Sequence, residues 1–241
     1  MRIFKTPPYR NVQELLDLPG EASKHDLQQT LRDIRRANIF GLGTWVVTHH
    51  LDDLLRDIPR EQTLQILDLA TGSADIPEEL CRWAEREGRK VEITATDISP
   101  EILNVARQRI LDAGFADRVG LLACDATSTP FADRHFDVVV CSLALHHLDV
   151  NSARLAFGEM ARLSKVGFIV NDIYRSRGAW LMARFLTFVT TTNRLTKHDG
   201  PASVYRAFTP TEVGRIAQDA RTDVTVYTHP FWRVAAVGRR R

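Results

Sequence analysis

The chain has 241 residues, 44% hydrophobic and 26% charged, with 32 basic and 30 acidic side chains and a net charge of +2. That length supports one domain with a modest accessory cap, and the balanced charge provides little field for collecting polyanions, which argues against a nucleic-acid partner. Cys81, Cys124 and Cys141 are widely spaced with no C-x-x-C pattern, so neither a disulfide framework nor a structural zinc site is expected; Cys124 and Cys141, on or beside predicted strands, read as buried free thiols.

The amino-terminal MRIFKTPPYR lacks the apolar core of a secretory signal, and a cytoplasmic protein is expected. Val12 to Leu18 predicts a short helix stopped by Pro19-Gly20. Leu27, Leu31, Ile34 and Asn38 recur at helical spacing, with Arg32, Arg35 and Arg36 turned to solvent or an acidic neighbour. Gly41 and Gly43 break this helix, and Trp45 to Ile58 resumes it with Leu51, Leu54, Leu55 and Ile58 as its buried stripe. Residues 1–59 therefore read as a helical cap segment ahead of a sheet-forming domain at 60–241.

From Leu64 onward apolar strands alternate with helical patterns, the signature of a doubly wound α/β sheet covered on both faces. Strands are predicted near 64–70, 91–96, 119–123, 136–141 and 166–171, followed by VTVYT and WRVAAVG. Ser99-Pro100-Glu101 supplies an N-cap, a proline at the first helical position and an early acid; Thr209-Pro210-Thr211-Glu212 is a capping box. Residues 173–208 form a cap insertion. Within it the apolar helix Trp180–Val189 has no clean polar face and is expected to be covered on more than one side, while Gly200-Pro201 reads as a turn. That helix is too short to cross a bilayer and contains Arg184, so no stable membrane insertion is expected. The terminal Arg239, Arg240 and Arg241 read as a solvated tail.

The segment ILDLATGSADIP, Ile66 to Pro77, carries the chemistry: a strand runs into a small-residue turn and a helix start, the layout that brings a ligand against the backbone and a helix N-terminus. Against the dinucleotide pattern G-x-G-x-x-G the chain offers Ala70, Gly72 and Asp75, and a carboxylate at the third position would repel a pyrophosphate. A nicotinamide oxidoreductase is disfavoured accordingly. S-adenosylmethionine, with a sulfonium and an ammonium, suffers no such repulsion.

With Asp97 closing VEITATDISP, Asp125 and Ala126 following LLACDATSTPF, and FDVVVCSLALHHL as a fourth strand, residues 60–172 resemble the class I S-adenosylmethionine-dependent methyltransferases. The resemblance is nearest to the group containing the ubiquinone and menaquinone C-methyltransferases, and extends to bacterial small-molecule methyltransferases. It implies a seven-stranded, mostly parallel Rossmann-like sheet whose last two strands are antiparallel. It also implies that Ala70, Gly72 and Ser73 face the methionine end of S-adenosylmethionine, Asp97 the ribose, Asp125 and Ala126 the adenine edge, and Ser142 the sulfonium. Ala74 stands where the family usually has glycine. Asp68 either orders the turn through hydrogen bonds or acts indirectly on the ligand.

Methyl transfer from a sulfonium needs mainly alignment and exclusion of water, worth roughly 7 to 11 kcal/mol, and no covalent nucleophile. A phenolic acceptor, with its pKa of ~10, would benefit from a base. The candidates are His146 and His147 after the fourth strand, Asp172 closing the fifth, and His198 in the cap, where Asp199 follows it. The reaction expected is O-methylation of a small lipophilic or aromatic acceptor. C-methylation of a quinol-type ring is the alternative, and a catalytically inactive cofactor-binding partner is the alternative of another class. Nothing in the sequence sets the oligomeric state.

Overall fold

The computed structural model describes residues 6–18 and 20–240. Among them a seven-stranded sheet forms from β1 (Thr63–Leu69), β2 (Lys90–Asp97), β3 (Val119–Ala123), β4 (Phe136–Ser142), β5 (Ser164–Ile173), β6 (Val224–His229) and β7 (Arg233–Arg239). The order is β3-β2-β1-β4-β5-β7-β6, with β7 antiparallel to β5 and β6 and every other pairing parallel. The chain reverses direction across the sheet between β1 and β4, which opens a ligand crevice at their carboxyl ends.

The sequence builds both faces through the period of two. Along β4, Val138 and Val140 pack with Leu51, Leu80 and Ile110 on one side. Val139 and Cys141 pack with Phe157, Met160 and Ile216 on the other. The first layer belongs to α2 (Gly43–Leu54), α3 (Asp75–Glu87) and α4 (Pro100–Ala113); the second belongs to α5 (Val150–Leu163) and α8 (Pro210–Asp219). The caps form as expected. The Ser99 side chain accepts from Ile102 N–H, and Thr209 and Glu212 complete a capping box.

Ahead of the sheet lies α1 (Lys24–Phe40), and between β5 and α8 lie α6 (Arg177–Thr190) and α7 (Arg194–Arg206). Here the structure departs from the sequence reading. The predicted helix at 12–18 shrinks to a 3-10 turn at Leu15–Asp17, and its stop signal at Pro19 falls outside the described residues. That turn is fixed by Asp199, whose carboxylate accepts from Leu15 N–H (2.8 Å) and Leu16 N–H (3.1 Å).

Gly200-Pro201 is no turn. α7 runs through it, forgoing the hydrogen bond that the proline nitrogen cannot donate. Gly200 is needed for closeness instead, because a Cβ there would lie 2.7 Å from Thr187 Cγ2 on α6. α6 is also not covered on more than one side; of its residues only Ala179 is buried. Arg239 and Arg240 are exposed, as a solvated end requires, while Arg239 bonds Asp53 O and Arg240 bonds the carbonyls of Ala161 and Ser164. Arg241 lies outside the described residues. Cys81 and Cys141 are buried free thiols, with burial pushing Cys81 up to about 12, whereas Cys124 is only half-buried.

Candidate active site

The turn after β1 bends through left-handed backbone at Ala70 (φ 54°), Gly72 (φ 55°) and Ala74 (φ 58°), and α3 starts at Asp75. A Cβ on Gly72 would meet no heavy atom within 4 Å, so glycine is used there for its φ and not for space. Ala74 takes the same conformation with a methyl group, at a cost of roughly 1–2 kcal/mol.

Asp97 ties this turn to β2. Its Oδ2 accepts from Gly72 N–H at 2.9 Å and its Oδ1 from Ser99 N–H at 3.0 Å, and burial pushes its carboxyl up against those bonds. Asp97 O in turn accepts from Cys124 N–H, setting Asp125 and Ala126 just past β3 on the same edge. Asp125 is exposed, and its Oδ1 accepts from the Thr127 N–H and hydroxyl. Ser73 is buried in the turn, and the Ser142 hydroxyl accepts from Asn171 Nδ2 at 2.8 Å, joining the ends of β4 and β5.

Asp68 does not order the turn through hydrogen bonds of its own. Its carboxyl is buried with no hydrogen-bond partner among the described residues, and burial together with the charges of Asp75 and Asp97 pushes it up to about 8. A turn ringed by Asp68, Asp75 and Asp97, one of them unpartnered, fits a cationic ligand and opposes an anionic one. S-adenosylmethionine passes this test, since its ammonium and sulfonium bring positive charge to these carboxyl groups.

On the other side of the same edge lies a cavity of about 440 Å³ under α1, α6 and α7, with Leu143, His146, His147 and Ile173 on its sheet side. His146 is 5% exposed; Asp172 Oδ1 lies 2.7 Å from its Nδ1, and Asp172 Oδ2 accepts from its backbone N–H at 3.0 Å. Although burial alone would raise the Asp172 carboxyl, the charge and hydrogen bonds of His146 and the N–H of Ile173 hold it below the usual carboxylate range. A carboxylate at Asp172 accepting from Nδ1 keeps a proton on that nitrogen and leaves Nε2 as the ring atom at which a proton can be exchanged.

That Nε2 faces Glu14, whose Oε1 is 3.9 Å away. Glu14 is buried, accepts from the Ser203 hydroxyl at 2.9 Å and lies 3.8 Å from Arg206. His147 Nδ1 sits 3.2 Å from Asp17 Oδ2. Burial pulls His147 down, but that bond and the charges of Glu14 and Asp17 outweigh it and raise its pKa. Ligand atoms of Glu14, His146 and His147 lie within 4.8 Å of one another, close enough to hold a metal ion. The Arg206 guanidinium already supplies a countercharge to Glu14, which works against a dication there.

The structure thus brings His146, His147 and Asp172 together and leaves His198 out. His198 is exposed on α7, bonds Asp199 Oδ1 at 2.8 Å and does not line the cavity. Its helical position turns it outward, while Asp199, one residue on, turns in. Sequence reasoning missed Glu14, Asp17 and Arg206. The only sequence signal was the i, i+3 spacing of the two acids in a short amphipathic stretch, with nothing to link them to histidines more than a hundred residues away.

The family model described as "Methyltransferase domain" matches residues 66–167. Over those residues, from β1 into β5, the chain is similar to the methyltransferases. Among curated proteins it is similar to the ubiquinone/menaquinone biosynthesis C-methyltransferase UbiE of Burkholderia cenocepacia, 37% identical over 103 residues that cover 43% of this chain and 40% of that protein. The UbiE of Rickettsia prowazekii is 29% identical over 155 residues, 62% of this chain and 57% of that one. The matches therefore span about half the length of these relatives. A methyltransferase structure from Aquifex aeolicus, described as S-adenosylmethionine dependent, covers 88% of this chain and 97% of its own with a TM-score of 0.60 and 16% identity, which supports the fold. The expected seven-stranded Rossmann-like methyltransferase fold is the one found.

Proposed function

We propose that this methyltransferase transfers a methyl group to the hydroxyl of a small apolar aromatic acceptor, phenolic or quinol-like, with His146 as general base. The observation that carries this reading is His146, held by Asp172, in the wall of an apolar cavity. When bound, S-adenosylmethionine supplies an electrophilic methyl group on a sulfonium; Ala70, Gly72 and Ser73 would hold its methionine end, Asp97 its ribose, Asp125 and Ala126 its adenine edge, and Ser142 the neighbourhood of the sulfonium.

His146 Nε2 accepts the acceptor's hydroxyl proton. Asp172 holds the ring in place and stabilises the imidazolium from one side, Glu14 from the other. His147, fixed by Asp17, and Arg206, which donates to His147 O at 2.7 Å, keep this wall of the cavity in register. Ile34, Leu143, Ile173 and Leu186 keep water from the reacting oxygen and hold apolar bulk at about 25 cal/mol per Å² buried.

A second reading has its own support, because the UbiE relatives are named as C-methyltransferases. Ionising a quinol hydroxyl also activates the ring carbon next to it, so the same base serves both outcomes. Incubating the protein with labelled cofactor and a panel of alkylated phenols, catechols and quinols, with mass spectrometry of the products, separates them. Methyl on oxygen is expected; methyl only on ring carbon, or only on an amine or nucleic acid, would defeat the assignment.

A further inference from the structure

α6 exposes apolar side chains that a water-facing helix would not carry. Leu181, Phe185, Phe188 and Val189 are 60, 61, 75 and 54% exposed, and α6 contributes Arg177 and Arg184 but no carboxylate. Contiguous exposed apolar surface of this kind marks a place where something docks.

The border of this face is basic. Phe188 and Val189 share a shallow groove with Arg32, Arg36 and Lys197, and Leu181, Phe185 and Phe188 share the next with Arg184 and Lys197. Asp33, the carboxylate in the first groove, is 10% exposed in its side chain; its Oδ2 accepts from the hydroxyls of Thr191 and Thr196, and its Oδ1 lies 3.5 Å from Arg36, offsetting part of that one charge. Aromatic and aliphatic residues outward with arginine and lysine at the flank is the composition of a helix lying in the boundary between lipid headgroups and acyl chains. The length of α6, 14 residues, suits lying in that plane; no helix among the described residues is long and apolar enough to cross it. The same patch holds the cavity mouth, since Phe40, Met182, Leu186 and Phe231 line the cavity and are 78, 37, 45 and 54% exposed.

We propose that the Leu181–Val189 face of α6, bordered by Arg32, Arg36, Arg184 and Lys197, docks on an anionic lipid surface and sets the mouth of the acceptor cavity against the bilayer. A lipophilic acceptor then enters from the lipid without crossing water. Only this last consequence rests on the apolar-acceptor reading; the docking itself does not.

The test is co-sedimentation of the full chain with phosphatidylcholine vesicles, with and without phosphatidylglycerol, at low and high salt. Binding about tenfold tighter to the anionic vesicles, weakened by salt, is expected. Phe185→Glu/Phe188→Glu should abolish vesicle binding, and Arg184→Glu/Lys197→Glu should erase the preference for anionic lipid. Both variants should keep S-adenosylhomocysteine affinity, which shows that they fold. Vesicle binding unchanged in the phenylalanine variant would overturn the proposal. So would wild-type protein that ignores vesicles but dimerises in sedimentation through the same two phenylalanines, assigning the face to a second copy of the chain. Turnover of a water-soluble phenol is scored separately, so failure to dock and failure to methylate remain distinct results.

Discussion

Between Leu69 and Asp75 the backbone itself makes the site, whereas under α1, α6 and α7 it is side chains from distant segments that make it. The cofactor edge is built from one contiguous turn, with left-handed φ at Ala70, Gly72 and Ala74, and from the carboxylate of Asp97 that braces it. The acceptor side joins Glu14 and Asp17 to His146, His147, Asp172 and Arg206, which only tertiary packing brings within reach. A local turn tolerates almost any neighbours; a pocket assembled from far segments can change its contents without disturbing the fold. The matched family segment, 66–167, accordingly holds the whole turn after β1 but only the Leu143–His147 part of the cavity wall.

Substitutions on the two sides should therefore separate binding from chemistry. The largest effect is expected from His146→Ala, which should lower kcat for a phenolic acceptor by about 10²- to 10⁴-fold while leaving S-adenosylhomocysteine affinity, measured by calorimetry, unchanged. A fall in both together would merge the two regions into one unit and break the contrast.

On the cofactor side, Asp97→Ala should weaken S-adenosylhomocysteine binding by about 1.5–3 kcal/mol. Part of that loss comes through the protein, since the Gly72 and Ser99 N–H groups lose their acceptor. Unchanged affinity in a folded variant would remove Asp97 from the site.

The smallest effect is a pH slope at Asp68, raised from 3.8 to about 8 by burial and by Asp75 and Asp97. Between those values the folded carboxyl holds a proton that the unfolded chain has lost, so it lowers the stability of the ligand-free protein progressively as pH rises from about 4 to about 8. A cationic cofactor favours the ionised form, so its affinity should climb across the same window, by at most about tenfold per pH unit, and level off above about 8. Titration calorimetry of wild type and Asp68→Asn checks this: the slope should vanish in the variant, and a slope that persists would place its origin elsewhere.

The gap between what sequence shows and what the fold decides follows the same division. The alternation of Val138 to Cys141, the caps at Ser99 and Thr209 and the turn at Gly72 are local rules with local causes, and each was legible in order along the chain. His198 was counted among the bases because residue type was legible and helical phase inside α7 was not; that phase turns His198 outward and Asp199 inward. Gly200-Pro201 looked like a turn because those residues usually make one; the close approach of Thr187 on α6 instead recruited the glycine for packing within a helix.

The sequence alone thus determined the strands, their alternation with helices and the small-residue turn after β1, because hydrophobic period, capping and turn chemistry act over a few residues. Only the tertiary structure decided that Glu14 faces His146, that Asp172 holds the histidine's Nδ1, and that the apolar side of α6 is left open. Each of these depends on where segments far apart in the chain come to rest, and burial and charge act through distance in space, on which separation along the chain has no bearing.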